Sequence, residues 1–257
     1  MRKCLFALSI VFLVAGMVQA QDSTVTKPSS KKAKEPKKDW SKVTIGDRAN
    51  DHFMIQTGYD GWLNMPDSIQ TSGFSRHLNI YLMLDKPFKT DPRWSVGLGV
   101  GIGSSNIFFE KTMIDLRGSV NSTQASFKDV SNENNFKKYK LTTVWAEIPI
   151  ELRRISNPLN SDGCFKWSVG AKVGTMISGH TKGKNLQSST GQSLYGDKYI
   201  AKEKDRKFLN NLRIAPTARI GYGNFTIYGA YQITTLFREG QGPDVRPYSI
   251  GLCLSGL

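Results

Sequence analysis

Four glycines recur at strict two-residue spacing in the stretch RWSVGLGVGIGSSN, at Gly97, Gly99, Gly101 and Gly103. A dinucleotide-binding turn needs G-x-G-x-x-G between a strand and a helix, and a phosphate loop closes on Gly-Lys-Ser/Thr; neither pattern is present. Period two puts the four glycines on one face of an extended strand and Val96, Leu98, Val100 and Ile102 on the other. One face is bare and the other is greasy. A barrel of eight strands has an interior only wide enough for side chains to fill, so bulky inward neighbours need bare backbone beside them.

The same alternation returns along the chain. Residues 76–85 put Leu78, Ile80, Leu82 and Leu84 on one face, 141–154 align Val144, Ala146, Ile148, Ile150 and Leu152, and 164–178 align Phe165, Trp167, Val169, Ala171, Val173 and Ile177. Further strands are expected at 51–60, 212–222, 225–237 and 245–255, and no helical period is sustained. Each is about ten residues or more, the length of a tilted membrane strand. Short connections at 86–92, 156–163 and Gly223-Asn224 alternate with long ones at 61–75, 110–139 and 179–211, and 238–244 falls on the long side. The expected fold is all-β: an eight-stranded antiparallel up-and-down transmembrane barrel with long extracellular loops and tight periplasmic turns.

The solvent follows from which face is outside. A soluble, lipocalin-like ligand carrier would point its apolar face inward. Here the bulky face carries no mid-strand charge, and aromatics bracket it: Trp94, Phe165, Trp167, Tyr222 and Phe225 near the short turns, Phe237 and Tyr248 at the opposite ends. Aromatic girdles at two levels belong to lipid interfaces. Two hairpin registers keep the faces apart. Tyr222 opposite Phe225 sets Ile220 against Ile227 and Arg219 against Tyr228, and Leu84 opposite Trp94 sets Tyr81 beside Gly97.

The N-terminal twenty residues, with Arg2 and Lys3 before an apolar run and a small-residue site at Ala20, read as a signal peptide. Residues 21–50 are polar and Lys-rich, too poor in apolar surface to offset ordering entropy, and read as a disordered basic periplasmic arm. Residues 51–257 form the barrel. The formal charge of +14 calls for an anionic neighbour. Secretion makes nucleic acid the weakest choice and outer-membrane lipid the natural one, with a protein partner reached through loops 110–139 and 179–211 or the arm.

The segments VWAEIPIELRR (144–154), YGAYQITTLF (228–237) and VRPYSIGLCL (245–254) resemble the outer-membrane β-barrel domain of the PorT-like family, over about residues 51–257. The resemblance implies an eight-stranded barrel in the outer membrane of a Gram-negative cell, in some members serving protein secretion. One departure is the ending SGL, with Leu257 where such barrels often carry a terminal aromatic.

The inner face gathers Glu147, Glu151, Arg153, Lys166, Lys172, Arg213 and Arg219, expected to form a structural ion network rather than a pore. Two registers across 156–163 keep them inside. The favoured one sets Glu151 opposite Lys166; the other sets Glu147 opposite Lys172 and brings Arg153 against Lys166, a like-charge contact. His52, His77 and His180 lie on separate elements. A surface lipid hydrolase would need one of them to converge with a serine and a carboxylate, as His180 would with Ser188, Ser189 or Ser193. Cys164 and Cys253 sit on inward parity of non-neighbouring strands, too far apart for a disulfide, and their spacing fits no zinc motif. No catalytic residue, cofactor or metal is expected.

Overall fold

The computed structural model describes residues 52–118 and 122–256; the expected signal peptide and basic arm lie outside the described residues. Among the described residues are eleven strands: β1 (Phe53–Leu63), β2 (Arg76–Pro87), β3 (Trp94–Phe109), β4 (Thr112–Asp115), β5 (Ser126–Asp129), β6 (Asn135–Ile155), β7 (Phe165–Gln187), β8 (Ile200–Lys204), β9 (Leu212–Tyr222), β10 (Phe225–Tyr231) and β11 (Arg246–Ser255). The ladder runs β6-β3-β2-β1-β11-β10-β9-β7, and β7 pairs back onto β6. Every pairing is antiparallel. These eight strands close a cylinder, as the alternation predicts. β8 adds to the outer end of β7, and β4 with β5 forms a separate hairpin.

The two faces fall as the hydropathy requires. Val96, Leu98, Val100 and Ile102 point outward with 38–58 % of their surface exposed, joined by Ile80, Leu82, Ile148, Ile150, Ile220, Ile227 and Leu252. The glycine face is inside. A Cβ at Gly97 would lie 2.6 Å from Arg153 Nε, one at Gly101 2.5 Å from Tyr81 Cδ1, and one at Gly103 2.8 Å from Glu147 Oε2. Inward side chains occupy the space these glycines vacate, which makes up for the weakness of glycine in a strand interior.

The β9–β10 hairpin has the register expected across Gly223-Asn224: Tyr222 faces Phe225, Ile220 faces Ile227 and Arg219 faces Tyr228. Two other registers differ. In β2–β3 Leu84 faces Leu98, not Trp94, and Tyr81 faces Gly101, not Gly97. The strands run on to Pro87 and Ser95, and the turn closes within 88–94, where Phe88 N–H donates to Trp94 O (2.9 Å) and Trp94 N–H to Asp91 O (3.0 Å). Arg93 clamps that turn through Asp91 (2.6 Å) and, by its side-chain hydrogen bonds, holds the carboxyl below its ordinary range. In β6–β7 Glu147 faces Gly174 and Glu151 faces Gly170, so neither expected register is adopted. Cys164 belongs to the turn, closed by Ser156 N–H donating to Phe165 O (2.9 Å). All the shifts are even, so no side chain changes face.

The long-loop end is more ordered than a set of solvated loops. β6 and β7 pair from Asn135–Gln187 inward, so much of 110–139 and 179–211 is sheet. Trp62, Phe109, Leu116, Trp145, Phe208 and Phe237 belong to one buried cluster that roofs this end. Phe237 is a correction: it is 1 % exposed, edge-on to Trp62 and Phe127, and so lies in the roof rather than the girdle. The aromatics at this level of the wall are Tyr59, Phe74 and Tyr248, with ring centroids 5.7 and 6.2 Å from Tyr59. Trp94 and Trp167 meet edge to face (5.4 Å) at the other.

If the glycine face is a packing requirement, Gly101→Val should cost at least about 1–3 kcal/mol of unfolding free energy by overpacking, measured by urea titration in lipid vesicles. Val100→Leu, one residue away on the lipid side, should change it by less than about 0.5 kcal/mol. Equal effects would contradict the assignment of faces.

Candidate functional site

The lumen is filled by two ion clusters and a hydrogen-bonded triad. Glu147 Oε1 accepts from Arg213 Nη1 (2.9 Å), and Oε2 receives Lys172 Nζ (3.4 Å) and the Tyr81 hydroxyl. Arg213 also lies over the Trp145 ring at 5.6 Å. Nearer the short turns, Glu151 Oε2 accepts from Arg219 Nη2 (2.6 Å) and Arg153 Nε (2.9 Å). Arg219 Nε donates to Ser168 (3.0 Å), and Arg153 reaches Asp85 at 3.6 Å. Each glutamate lies between two glycines on its neighbouring strands, Glu147 between Gly101 and Gly174, Glu151 between Gly97 and Gly170. The missing side chains leave room for the cations: Arg153 from β6 itself, Lys172 from β7, and Arg213 and Arg219 from β9, one strand further round.

Lys166 is buried but stands opposite Ile155 and Gly221, so the expected Glu151–Lys166 partnership is not formed. The physical reason is that β6 runs on to Ile155 before a tighter turn, so Lys166 pairs past Glu151, toward the rim. Lys172 reaches Glu147 diagonally, from opposite Pro149.

The third group, Asp60, His77 and Tyr228, was not anticipated. His77 Nδ1 and Asp60 Oδ1 are 2.7 Å apart, Ser249 and Ser105 donate to the same carboxylate, and His77 Nε2 meets the Tyr228 hydroxyl. His–Asp orientation of this kind supports hydrolysis only when a nucleophile and substrate can reach the ring. Here the far nitrogen faces a tyrosine and His77 is 3 % exposed. On the loop side, Ser188 shares a hydrogen bond with Thr190 and Ser193 donates to Asn185, and neither bond involves His180. Cys164 and Cys253 are both buried and free. Among the described residues no group of three or more metal-ligating side chains converges.

Little space remains between these groups. One void beside Arg153, Lys166 and Arg219 measures about 20 Å³, and another beside Trp145, Arg213 and Gln232 about 10 Å³. These hold one water molecule at most. A larger cleft, about 650 Å³, opens above the roof between the β4–β5 hairpin and the extended β6–β7–β8 sheet. Phe136 stacks on Tyr139 along its wall (5.9 Å), with Met113, Asp115, Glu133 and Glu203 beside them.

A family model described as an outer membrane protein beta-barrel domain matches residues 22–234. The chain belongs to this family. It is an outer-membrane protein, and the family together with the outward apolar wall removes the soluble-carrier alternative. Among solved structures, the chain is similar to the crystal structure of Ail, the attachment invasion locus protein of Yersinia pestis, in complex with the heparin analogue sucrose octasulfate. The identity is 14 %, the match covers 80 % of this chain and 97 % of that one, and the TM-score is 0.29. No curated protein matches the sequence.

Removing one partner from a buried ion cluster leaves the others uncompensated, at a cost of about 3–5 kcal/mol. Glu147→Gln should lose about that much in urea unfolding, while the triple change Glu147→Met, Lys172→Met, Arg213→Met should recover most of it. A triple variant as unstable as the single one would mean that the cluster is not acting through its charges.

Proposed function

We propose that this protein is a non-enzymatic outer-membrane barrel, sealed along its axis, that acts as a binding component through the sheet and loops on its extracellular side. The observation that carries the reading is a filled lumen beneath an open cleft of about 650 Å³. On this reading Glu147, Glu151, Lys166, Lys172, Arg213 and Arg219 have structural work, because an eight-stranded lumen already packed with side chains has no aqueous path. The cleft suits a partner. It combines stacked aromatic surface with both signs of charge, Lys128 paired to Glu133 at 2.6 Å among them. The PorT-like resemblance adds a secretion-associated role, with a signal peptide at 1–20 and the arm at 21–50 reaching a periplasmic partner.

Photoreactive residues at Met113 and Asn134 in the cleft, and at Lys89 in a periplasmic turn, test the site on intact cells. Adducts at the cleft positions are expected. Adducts at Lys89 alone would move the binding work to the periplasmic side. Step conductance from purified protein in a planar bilayer would overturn the sealed lumen.

A further inference from the structure

On the outer surface three lysines stand directly opposite one another across three strands. Lys140 of β6 faces Lys182 of β7, and Lys182 faces Lys202 of β8. One adjoining row repeats the sign, with Lys138 facing Lys184, and the other sets Lys204 opposite His180. Like charges directly opposite destabilise a sheet. No carboxylate lies within ion-pair distance of Lys140, Lys182 or Lys202 among the described residues. The one acid on β8, Glu203, turns to the cleft side and accepts the Arg117 N–H at 2.9 Å.

A bulge aims this row outward. Val144 faces Ser178 but Trp145 faces Met176, so Ile177 is an extra residue on β7. Below it the even residues Lys172, Gly174 and Met176 point inward; above it the inward set is Gly179, Thr181, Gly183 and Asn185. Without the bulge Lys182 and Lys184 would point into the roofed interior. Bulges re-aim side chains in this way. The row therefore stands outside the cylinder, just beyond the apolar belt that ends at Ile177. His180 beside it is held below its ordinary pKa by burial and then by Lys202, Lys140, Lys204 and Lys182. At the inner end Lys140 donates to Asn106 (2.6 Å) and, with Arg76, covers the Phe108 ring.

We propose that the Lys140–Lys182–Lys202 row docks the phosphate groups of phosphorylated lipid in the outer leaflet beside the barrel. Strands lie about 4.8 Å apart, so one phosphoryl group can touch two ammonium groups and the row spans about 10 Å. Its place on the lipid-facing wall at headgroup height selects a membrane lipid over a free anion. The proposal rests on the extracellular placement of these strands in the function proposed above.

The test uses the full-length protein in detergent, titrated with bis-phosphorylated lipid A and with dephosphorylated lipid A. The phosphorylated form should bind saturably. The variant Lys140→Gln, Lys182→Gln, Lys202→Gln should bind it about tenfold more weakly, with the heat-modifiable gel mobility of the folded barrel retained. The control Lys86→Gln, Lys89→Gln, Lys111→Gln removes the same charge elsewhere and should bind as the parent does. If the triple variant does not fold, Lys182→Gln alone should still weaken binding relative to Lys89→Gln. Equal binding of the two lipid forms, equal weakening by the control, or preference for a uronic-acid polysaccharide would each overturn the proposal. Protease cleavage at Lys198 on intact cells reports the placement separately: a protected loop refutes the orientation, whereas an accessible loop with no phosphate dependence refutes the docking row alone.

Discussion

The width of the lumen governs the rest of the molecule. Eight strands enclose a space that side chains must fill completely, yet this chain places two glutamates, two lysines and three arginines within it. Both conditions are met because each glutamate is flanked by glycine on the strand to either side. The bare backbone lets Lys172 and Arg213 converge on Glu147, and Arg153 and Arg219 on Glu151, without displacing the wall. The glycine run that looks like a ligand loop in one dimension is the mould for an ion cluster in three.

That mould was half legible in the sequence. Period-two alternation assigns faces, so the glycines beside Val96, Leu98 and Val100 declare which side of β3 is bare. It does not fix register, because an even slip leaves every face unchanged. Leu84 against Leu98 rather than Trp94 depends on how few residues Asp91 and Arg93 need to close a turn, and pattern does not encode that. The pairing of Asp60 with His77 is not legible, because a buried polar pair looks like an interruption of a strand until its partner is known. The bulge at Ile177 was also hidden. It reverses parity within a continuous strand, which is why Lys182 and Lys184 read as loop residues.

Above the membrane the same sheet meets different demands. β6 and β7 keep pairing past the apolar belt, since backbone hydrogen bonds do not depend on what the outward side chains touch. The inward face changes character there, from paired charges to the Trp62, Phe237 and Leu116 cluster. Burying a side chain of that size contributes about 1.5–3 kcal/mol, so the roof can hold the ends of several loops where an open rim could not. The cleft between the β4–β5 hairpin and the extended sheet is therefore built on a firm floor.

The distribution of the inner charges also bears on how the cylinder can be assembled. Both glutamates ride on β6 together with Arg153, whereas Lys172 arrives on β7, Arg213 and Arg219 on β9, and the Tyr81 hydroxyl on β2. A partly inserted sheet that lacks β9 would hold Glu147 with Lys172 alone and Glu151 with Arg153 alone. Full pairing of both glutamates is thus a property of the finished ring, because the second cation of each arrives only with β9.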